Sequence, residues 1–363
     1  MAANDKFILN QVRLENLKEG EAREVVKLLR AVQDDLVARL PAATEWSRER
    51  YQAMSSAYGG ALDSIYSKGI LPKLATNGVE FVAKDMAYQA DALDTAAVAA
   101  GHPSGLIVTA NVSPEALVAA SFSEPMQGKV MKQWADELNR KEYRLVDAQL
   151  RQAWLQGESP AAATARLKPT FKLSQRDLSS ITRTYYGELS GTTRKAIWEN
   201  NTDLIEAQLW DSMLDARTTT TICAPRDQLK YTMGGEPIGH GLAYLGGPGQ
   251  AHWQCRSTAL PVMKGVSSRA PRQAINAGDN YKRGDNVTRT GKVRKNTADA
   301  RKRGIFNETE ASTRTTYKSW LKRQPVAYQE DILGVNKAKA FRSGEWKLGD
   351  RFVAPKPTTI AGY

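Results

Sequence analysis

A chain of 363 residues with 41% hydrophobic content and a net charge of +12 holds enough apolar material for a packed core, which excludes global disorder, and its length suggests two or three domains. No stretch approaches the roughly 18 consecutive apolar residues that span a bilayer, so no membrane partner is expected. The first ten residues lack a basic region followed by an apolar run, so no secretory signal is expected, and two cysteines do not make a disulfide scaffold.

The first half reads as helical. Val25, Leu28, Leu29, Val32, Leu36 and Leu40 recur at helical spacing until Pro41 stops the run. Periodicity weakens from 44 to 100, where Gly59-Gly60 is expected to interrupt and Gly69 to turn the chain. His102-Pro103-Ser104-Gly105 marks a loop. After Pro125, Val130, Trp134, Leu138, Tyr143, Val146, Leu150 and Trp154 form one stripe closed by Gly157, with both tryptophans expected in the core. Ser159-Pro160 has the form of an N-cap with proline at the first helical position, opening a short helix to Leu167. Ser174-Gln175-Arg176-Asp177 resembles a capping box that opens a further helix through Ala196.

The period then changes. Ile205, Ala207, Leu209, Asp211 and Met213 alternate with polar or bulky neighbours, which predicts a strand with one buried face. Thr218 to Ile222 is expected to continue it after a bend. Seven glycines between Gly234 and Gly249 exclude an element interior, and Ser257 to Val262 suits a second strand closing on the first. No periodicity emerges from Val266 to Asn307. Tyr317, Trp320 and Leu321, then Tyr328, Ile332 and Leu333, begin a small C-terminal unit. The expected fold is α+β and predominantly α-helical: a helical N-terminal region (1–124), helices followed by a small β unit (125–262), a basic flexible linker (263–315) and a short C-terminal unit (316–363).

Charge is concentrated rather than spread. From Lys264 to Arg303 there are twelve Lys or Arg against three Asp, a surplus of nine in about a tenth of the chain. Such a block attracts phosphate backbones or an acidic surface, and a solvated linker is the bland alternative. The candidates for DNA contact are Lys282, Arg283, Arg289, Lys292, Arg294, Lys295, Arg301, Lys302 and Arg303.

Both cysteines and two of the three histidines fall between Trp210 and Val262. Cys223, His252 and Cys255 admit several readings. As zinc ligands they are one short of a structural site, and His240 or Asp227 would have to supply the fourth. As a disulfide, Cys223 and Cys255 would close a loop of about 30 residues and contribute roughly 3–4 kcal/mol. As plain core groups, the thiols are buried, His252 bonds a carbonyl, and Arg256 pairs with Asp215 or Asp211. A cysteine nucleophile needs an orienting third group, for which Asp227 is the candidate, but no catalytic signature surrounds it. Gly246-Gly247-Pro248-Gly249-Gln250 lacks the Gly-Lys-Ser/Thr ending of a phosphate loop.

Trp210 to Arg217, with Asp215-Ala216-Arg217-Thr218, then Cys223 and His252-x-x-Cys255-Arg256-Ser257-Thr258, resembles the signature of phage head morphogenesis proteins, the MuF-like minor head protein family. The flanking segments are similar too. They are Trp154-x-x-Gly157-x-Ser159, Ala196-Ile197-Trp198-Glu199-Asn200, and Tyr317-x-x-Trp320-Leu321-x-x-Gln324-Pro325. Together the likeness covers about 125–262 and 316–353, so 125–262 would be the head morphogenesis domain. Asp227-Gln228 stands where the family often has Asp-Gly, Gly249-Gln250-Ala251 where it has Pro-Pro before the histidine, and Arg226 where some relatives carry a further cysteine.

The resemblance implies a non-enzymatic structural role. The partners it implies are the portal protein, packaged double-stranded DNA, and major capsid or scaffolding protein. The site would be the head interior near the portal, after synthesis in the host cytoplasm. No cofactor is implied. A DNA-binding internal virion protein ejected with the genome is the alternative; an enzyme of toxin or transferase type ranks third, because 316–363 is too short for such a domain.

Overall fold

The computed structural model describes residues 5–109, 113–265, 272–278, 280–285, 304–312 and 314–350. It is an α+β fold in which helix predominates. Six helices form the larger layer: α1 (Asp5–Ala38), α2 (Arg48–Ser64), α3 (Leu71–Ala99), α4 (Pro114–Ser123), α5 (Met131–Gln156) and α6 (Pro160–Glu199). α6 packs against α1, α3, α4 and α5. Val25, Leu29, Leu62, Val82, Val146, Leu150, Tyr185 and Leu189 are among the buried side chains between them.

Three sequence expectations fail here, each for a packing reason. The helix does not break at Gly59-Gly60 or Gly69; α2 runs through a π-helical stretch, Ile65–Ile70, into α3. Gly59 and Gly78 serve close approach rather than turning. A Cβ at Gly59 would lie 2.9 Å from Tyr143 of α5, and one on Gly78 only 2.5 Å from the Tyr185 hydroxyl. Nor is there a short helix ending at Leu167 followed by another opening at Ser174. Ser159 caps Ala162, and α6 then continues for 40 residues with Pro169 inside it. Its buried positions (Ala163, Leu167, Phe171, Ser174, Leu178, Ile181, Tyr185) step by three or four without a gap. That continuous stripe outweighs the amide bond forfeited at Pro169, which sits on the exposed side. Finally, Trp134 and Trp154 are half-buried rim residues: Trp154 stacks on Tyr51 at 5.4 Å, and Trp134 meets Trp253 edge to face at 4.9 Å.

The smaller layer is an antiparallel sheet of order β3-β2-β1-β4, from β1 (Ile205–Asp211), β2 (Lys230–Tyr231), β3 (Pro237–Ile238) and β4 (Thr258–Met263). Leu209 pairs with Leu260 and Trp210 with Ala259. β1 is covered on both faces, not one. Ile205 and Leu209 pack with Leu93, Ala96, Ile197 and Trp198 at the ends of α3 and α6. On the other face Trp210 joins Tyr231, Cys223 and Cys255. The strand does not resume at Thr218. The Asp215 carboxylate accepts the Arg217 and Thr218 amides at 2.9 and 3.1 Å and turns the chain, and the short helix α7 (Cys223–Arg226) follows.

Residues 263–315, expected as a linker, contain an antiparallel ribbon of β5 (Arg272–Ala277) and β6 (Phe306–Ala311). β5 reads Arg-Gln-Ala-Ile-Asn-Ala, with too little apolar alternation to announce a strand. The ribbon packs with α8 (Tyr317–Arg323), α9 (Val326–Leu333) and α10 (Val335–Ser343) around Leu214, Phe306, Trp320, Tyr328 and Phe341.

One buried ion pair joins this unit to the sheet. Arg272 donates to both Asp227 oxygens, at 2.9 and 2.7 Å, and to the Ser212 carbonyl; its Nε lies 2.9 Å from Asp211 Oδ1. Asp227 also accepts the amides of Ser212 (2.9 Å) and Tyr317 (2.6 Å). Arg272→Met leaves Asp227 charged and buried without its partner, so urea denaturation is expected to give a loss of roughly 3–5 kcal/mol. A loss under about 1 kcal/mol would show that the pair does not hold the two units together.

Glu188 on α6 is the group whose titration should be visible. Burial, with Glu124 nearby, pushes its carboxyl up to about 7. A raised folded pKa means the native state binds a proton the unfolded chain has released. Stability is therefore whole below the unfolded value and declines as pH rises through about 7. Glu188→Gln removes this loss. The melting temperature of the variant minus that of the parent should be near zero at pH 4 and positive at pH 8, worth roughly 1–3 kcal/mol. A difference independent of pH would refute the assignment.

Candidate functional site

Cys223, His252 and Cys255 converge although 29 and 32 residues separate Cys223 from the other two. Cys223 Sγ lies 2.9 Å from His252 Nε2 and 3.6 Å from Cys255 Sγ, and both thiols are free and buried. Two local structures create the arrangement. α7 presents Cys223, whose carbonyl accepts from the Ser212 hydroxyl at 3.0 Å. On the other side, Gln254 adopts a positive φ of 54°, tightening the turn in which the Cys255 amide bonds the His252 carbonyl at 3.1 Å. A non-glycine residue in that region is held by its surroundings. Here the Gln254 amide donates to Thr184 Oγ1 at 3.0 Å and its side chain to Ser180 Oγ at 2.8 Å, so α6 fixes the turn. Gly249, with a φ of 92°, meets α6 at Gly187, where a Cβ would come 3.1 Å from the Gly249 carbonyl.

His252 Nδ1 lies 2.9 Å from the Trp253 carbonyl, an acceptor only, so Nδ1 carries a proton and donates. Nε2 faces the sulfurs and the Thr219 hydroxyl, 3.1 Å away. The two thiols share one hydrogen bond between their sulfurs. Their mutual hydrogen bond pushes Cys223 up and, with His252, holds Cys255 below the ordinary thiol range. Burial pulls the imidazole down, but the Cys255 sulfur outweighs it and the net shift is upward.

The remaining signature residues frame this cluster. Arg256 pairs with Asp215 at 2.6 Å, while Asp211, the other aspartate considered for it, meets Arg272. Burial opposes ionisation of Asp215, yet the Arg256 guanidinium holds its carboxyl below the usual range. Trp210 is buried beside Tyr231, whereas Arg217 is exposed. Neither candidate for a fourth ligand joins the cluster. His240 Nε2 bonds the Lys230 carbonyl at 2.8 Å and its Nδ1 accepts the Leu242 amide, and Asp227 is committed to Arg272. Asp227 is thereby also removed from His252, which it would have oriented in a nucleophilic site. Among the described residues, Cys223, His252 and Cys255 form the one group of three or more His, Cys, Asp or Glu able to hold a metal ion.

Of the candidates for DNA contact, Lys282 and Arg283 are exposed at the ribbon end, Arg283 lying 3.7 Å from Glu330. Arg289, Lys292, Arg294, Lys295, Arg301, Lys302 and Arg303 lie outside the described residues. Three contributors are invisible to sequence reasoning. Arg272 belongs to the basic block by position but is buried. Lys18 of α1 reaches the Cys255 carbonyl at 3.2 Å, and Arg183 of α6 pairs with Glu19 at 2.7 Å. Asp211, at the end of a largely buried strand, is the one sign in the sequence that a cation has to come from elsewhere. No family model, curated protein or solved structure matches the chain. No helix among the described residues is long and apolar enough to cross a membrane.

Arg256→Met should destabilise by roughly 3–5 kcal/mol because Asp215 stays buried and unpaired. Arg256→Met with Asp215→Asn should recover part of that loss. If the double variant is as unstable as the sum of the singles, the two side chains are not coupled.

Proposed function

We propose that this chain is a minor structural head protein of a tailed bacteriophage, associated with the portal inside the capsid and acting in prohead assembly or in DNA packaging and delivery. The observation that carries the reading is the resemblance of the Asp215 to Thr218, Cys223 and His252 to Thr258 signature to that family. Support comes from its residues meeting in one small unit: the Arg256–Asp215 pair lies beside the Cys223–His252–Cys255 cluster, and the turn carrying His252, Cys255 and Arg256 is braced on α6. The proposed role is non-enzymatic.

The surplus of nine positive charges between Lys264 and Arg303 favours a second reading, a DNA-binding internal protein ejected with the genome. In either case packaged DNA is the partner of Lys282, Arg283 and the cations from Arg289 to Arg303. The portal separates the two readings, because only the first requires affinity for it.

Quantitative mass spectrometry of virions and of DNA-free proheads should find a few copies per particle in both, relative to portal. Absence from both sinks the head-protein reading; presence in virions alone favours the second. A further measurement isolates the basic segment. Replacing residues 286–303 by a short Gly-Ser connection removes seven Lys or Arg. The slope of log K for duplex DNA against log salt should become shallower by roughly 0.9 for each phosphate that is no longer neutralised. An unchanged slope would mean that these cations do not meet DNA.

A further inference from the structure

The cluster has the spacing of a metal centre. In a tetrahedral zinc site with bonds of about 2.3 Å to sulfur and about 2.05 Å to nitrogen, two sulfurs stand about 3.8 Å apart and sulfur and nitrogen about 3.6 Å. The sulfurs of Cys223 and Cys255 are 3.6 Å apart, and all three donor atoms lie within 4.8 Å of one another. The 2.9 Å contact between Cys223 Sγ and His252 Nε2 has to open slightly. That is a movement of about 0.7 Å against the same ideal spacing.

The imidazole is already set for coordination. A ligating histidine usually donates its other ring N–H to a carbonyl or carboxylate, which fixes the tautomer. Here Nδ1 lies 2.9 Å from the Trp253 carbonyl, leaving the Nε2 lone pair toward the sulfurs. The turn that delivers His252 and Cys255 is held in a left-handed conformation at Gln254 by bonds to α6, so the ligands do not have to be gathered from a loose loop. Two thiolates and an imidazole suit a borderline-soft ion such as zinc and disfavour magnesium or calcium.

We infer that Cys223, His252 and Cys255 bind one zinc ion, with solvent in the fourth position. His240 and Asp227 are engaged elsewhere, and the near hydroxyl of Thr219 is not a preferred zinc ligand. The ion clips the α7 segment to the 250–256 turn and so closes the second face of the sheet. This inference does not depend on the head-protein reading, and its failure would leave that reading intact.

The full chain, free of any histidine tag, is purified under reducing conditions without chelator, and its zinc is measured by inductively coupled plasma mass spectrometry. About one zinc per chain is expected, with Cys255→Ser and His252→Asn each lowering occupancy about tenfold. Cobalt loaded into the stripped wild type should show sulfur-to-metal charge transfer and the visible bands of a tetrahedral ion. Because the variants risk misfolding, the wild type supplies the decisive control. Zinc added to the chelator-stripped chain should raise its melting temperature by several degrees, as binding to the folded state requires. Zinc below about a tenth per chain with no melting response would overturn the inference. So would a mass two hydrogens lower, showing that the two sulfurs had joined instead.

Discussion

The Arg272–Asp227 pair is the point on which the docking of the ribbon unit onto the sheet depends. Asp227 closes α7 and bonds the amide that follows β1, while Arg272 opens β5. Asp227 also receives the first amide of α8, at Tyr317. Four segments distant in sequence thus meet on two side chains. Each charge removed from water costs several kcal/mol, which the pair recovers only through complete hydrogen bonding. Both Asp227 oxygens and both Arg272 terminal nitrogens are so engaged. Asp211 shows the cost of that concentration. Burial pushes its carboxyl up to about 6, against the attraction of the same guanidinium. Apolar contact is non-directional, whereas the bonds of the ion pair are directional and so define the relative placement of the two units more narrowly.

Much of the helical layer is legible because one periodicity governs it. The helices of the Val25 to Leu40 stripe and of the one closed by Gly157 lie where the spacing puts them, but of the second stripe only Leu138, Val146 and Leu150 are buried, while Tyr143 is exposed and the two tryptophans sit at the rim. The misreadings come from treating glycine and proline as punctuation. In α6 the apolar stripe crosses Pro169 without losing step, and a tertiary contact decides more than a single forfeited amide. In α2 and α3, Gly59 and Gly78 mark where Tyr143 and Tyr185 press on the backbone, a fact that exists only once the helices are packed. A local pattern cannot distinguish a glycine that bends from one that admits a neighbour.

At the site, the chain's residue types disclose which groups cluster but not whether the set is complete. Cys223, His252 and Cys255 stand out as a set, and Arg256 has a short choice of aspartates. What the order of residues does not contain is the competition for Asp227. A carboxylate four residues after Cys223 looks available to the cluster until Arg272, 45 residues on, takes both its oxygens. His240 is lost in the same way to the Lys230 carbonyl and the Leu242 amide. Buried polar groups are assigned by what else must be satisfied around them, and those demands are tertiary.

The same competition changes the meaning of the basic segment. Along the chain, Lys264 to Arg303 is a tether between two units. In the fold the chain enters the ribbon at Arg272 and leaves it at Ala311, and the ends of the intervening stretch lie side by side: the Gly278 amide bonds the Ile305 carbonyl at 2.9 Å, and the Asn280 amide bonds the Gly304 carbonyl at 3.2 Å. The chain therefore leaves and re-enters at one ribbon end, where Lys282 and Arg283 stand, and this basic stretch is not a strap between domains. Closing a longer excursion costs only about 0.6 kcal/mol for each doubling of its length. An excursion that leaves and re-enters the same ribbon can therefore lengthen without loosening the ribbon's seat on the sheet. Arg272, a cation of the same block, is consumed by the fold at the root of the ribbon, which it holds to the sheet.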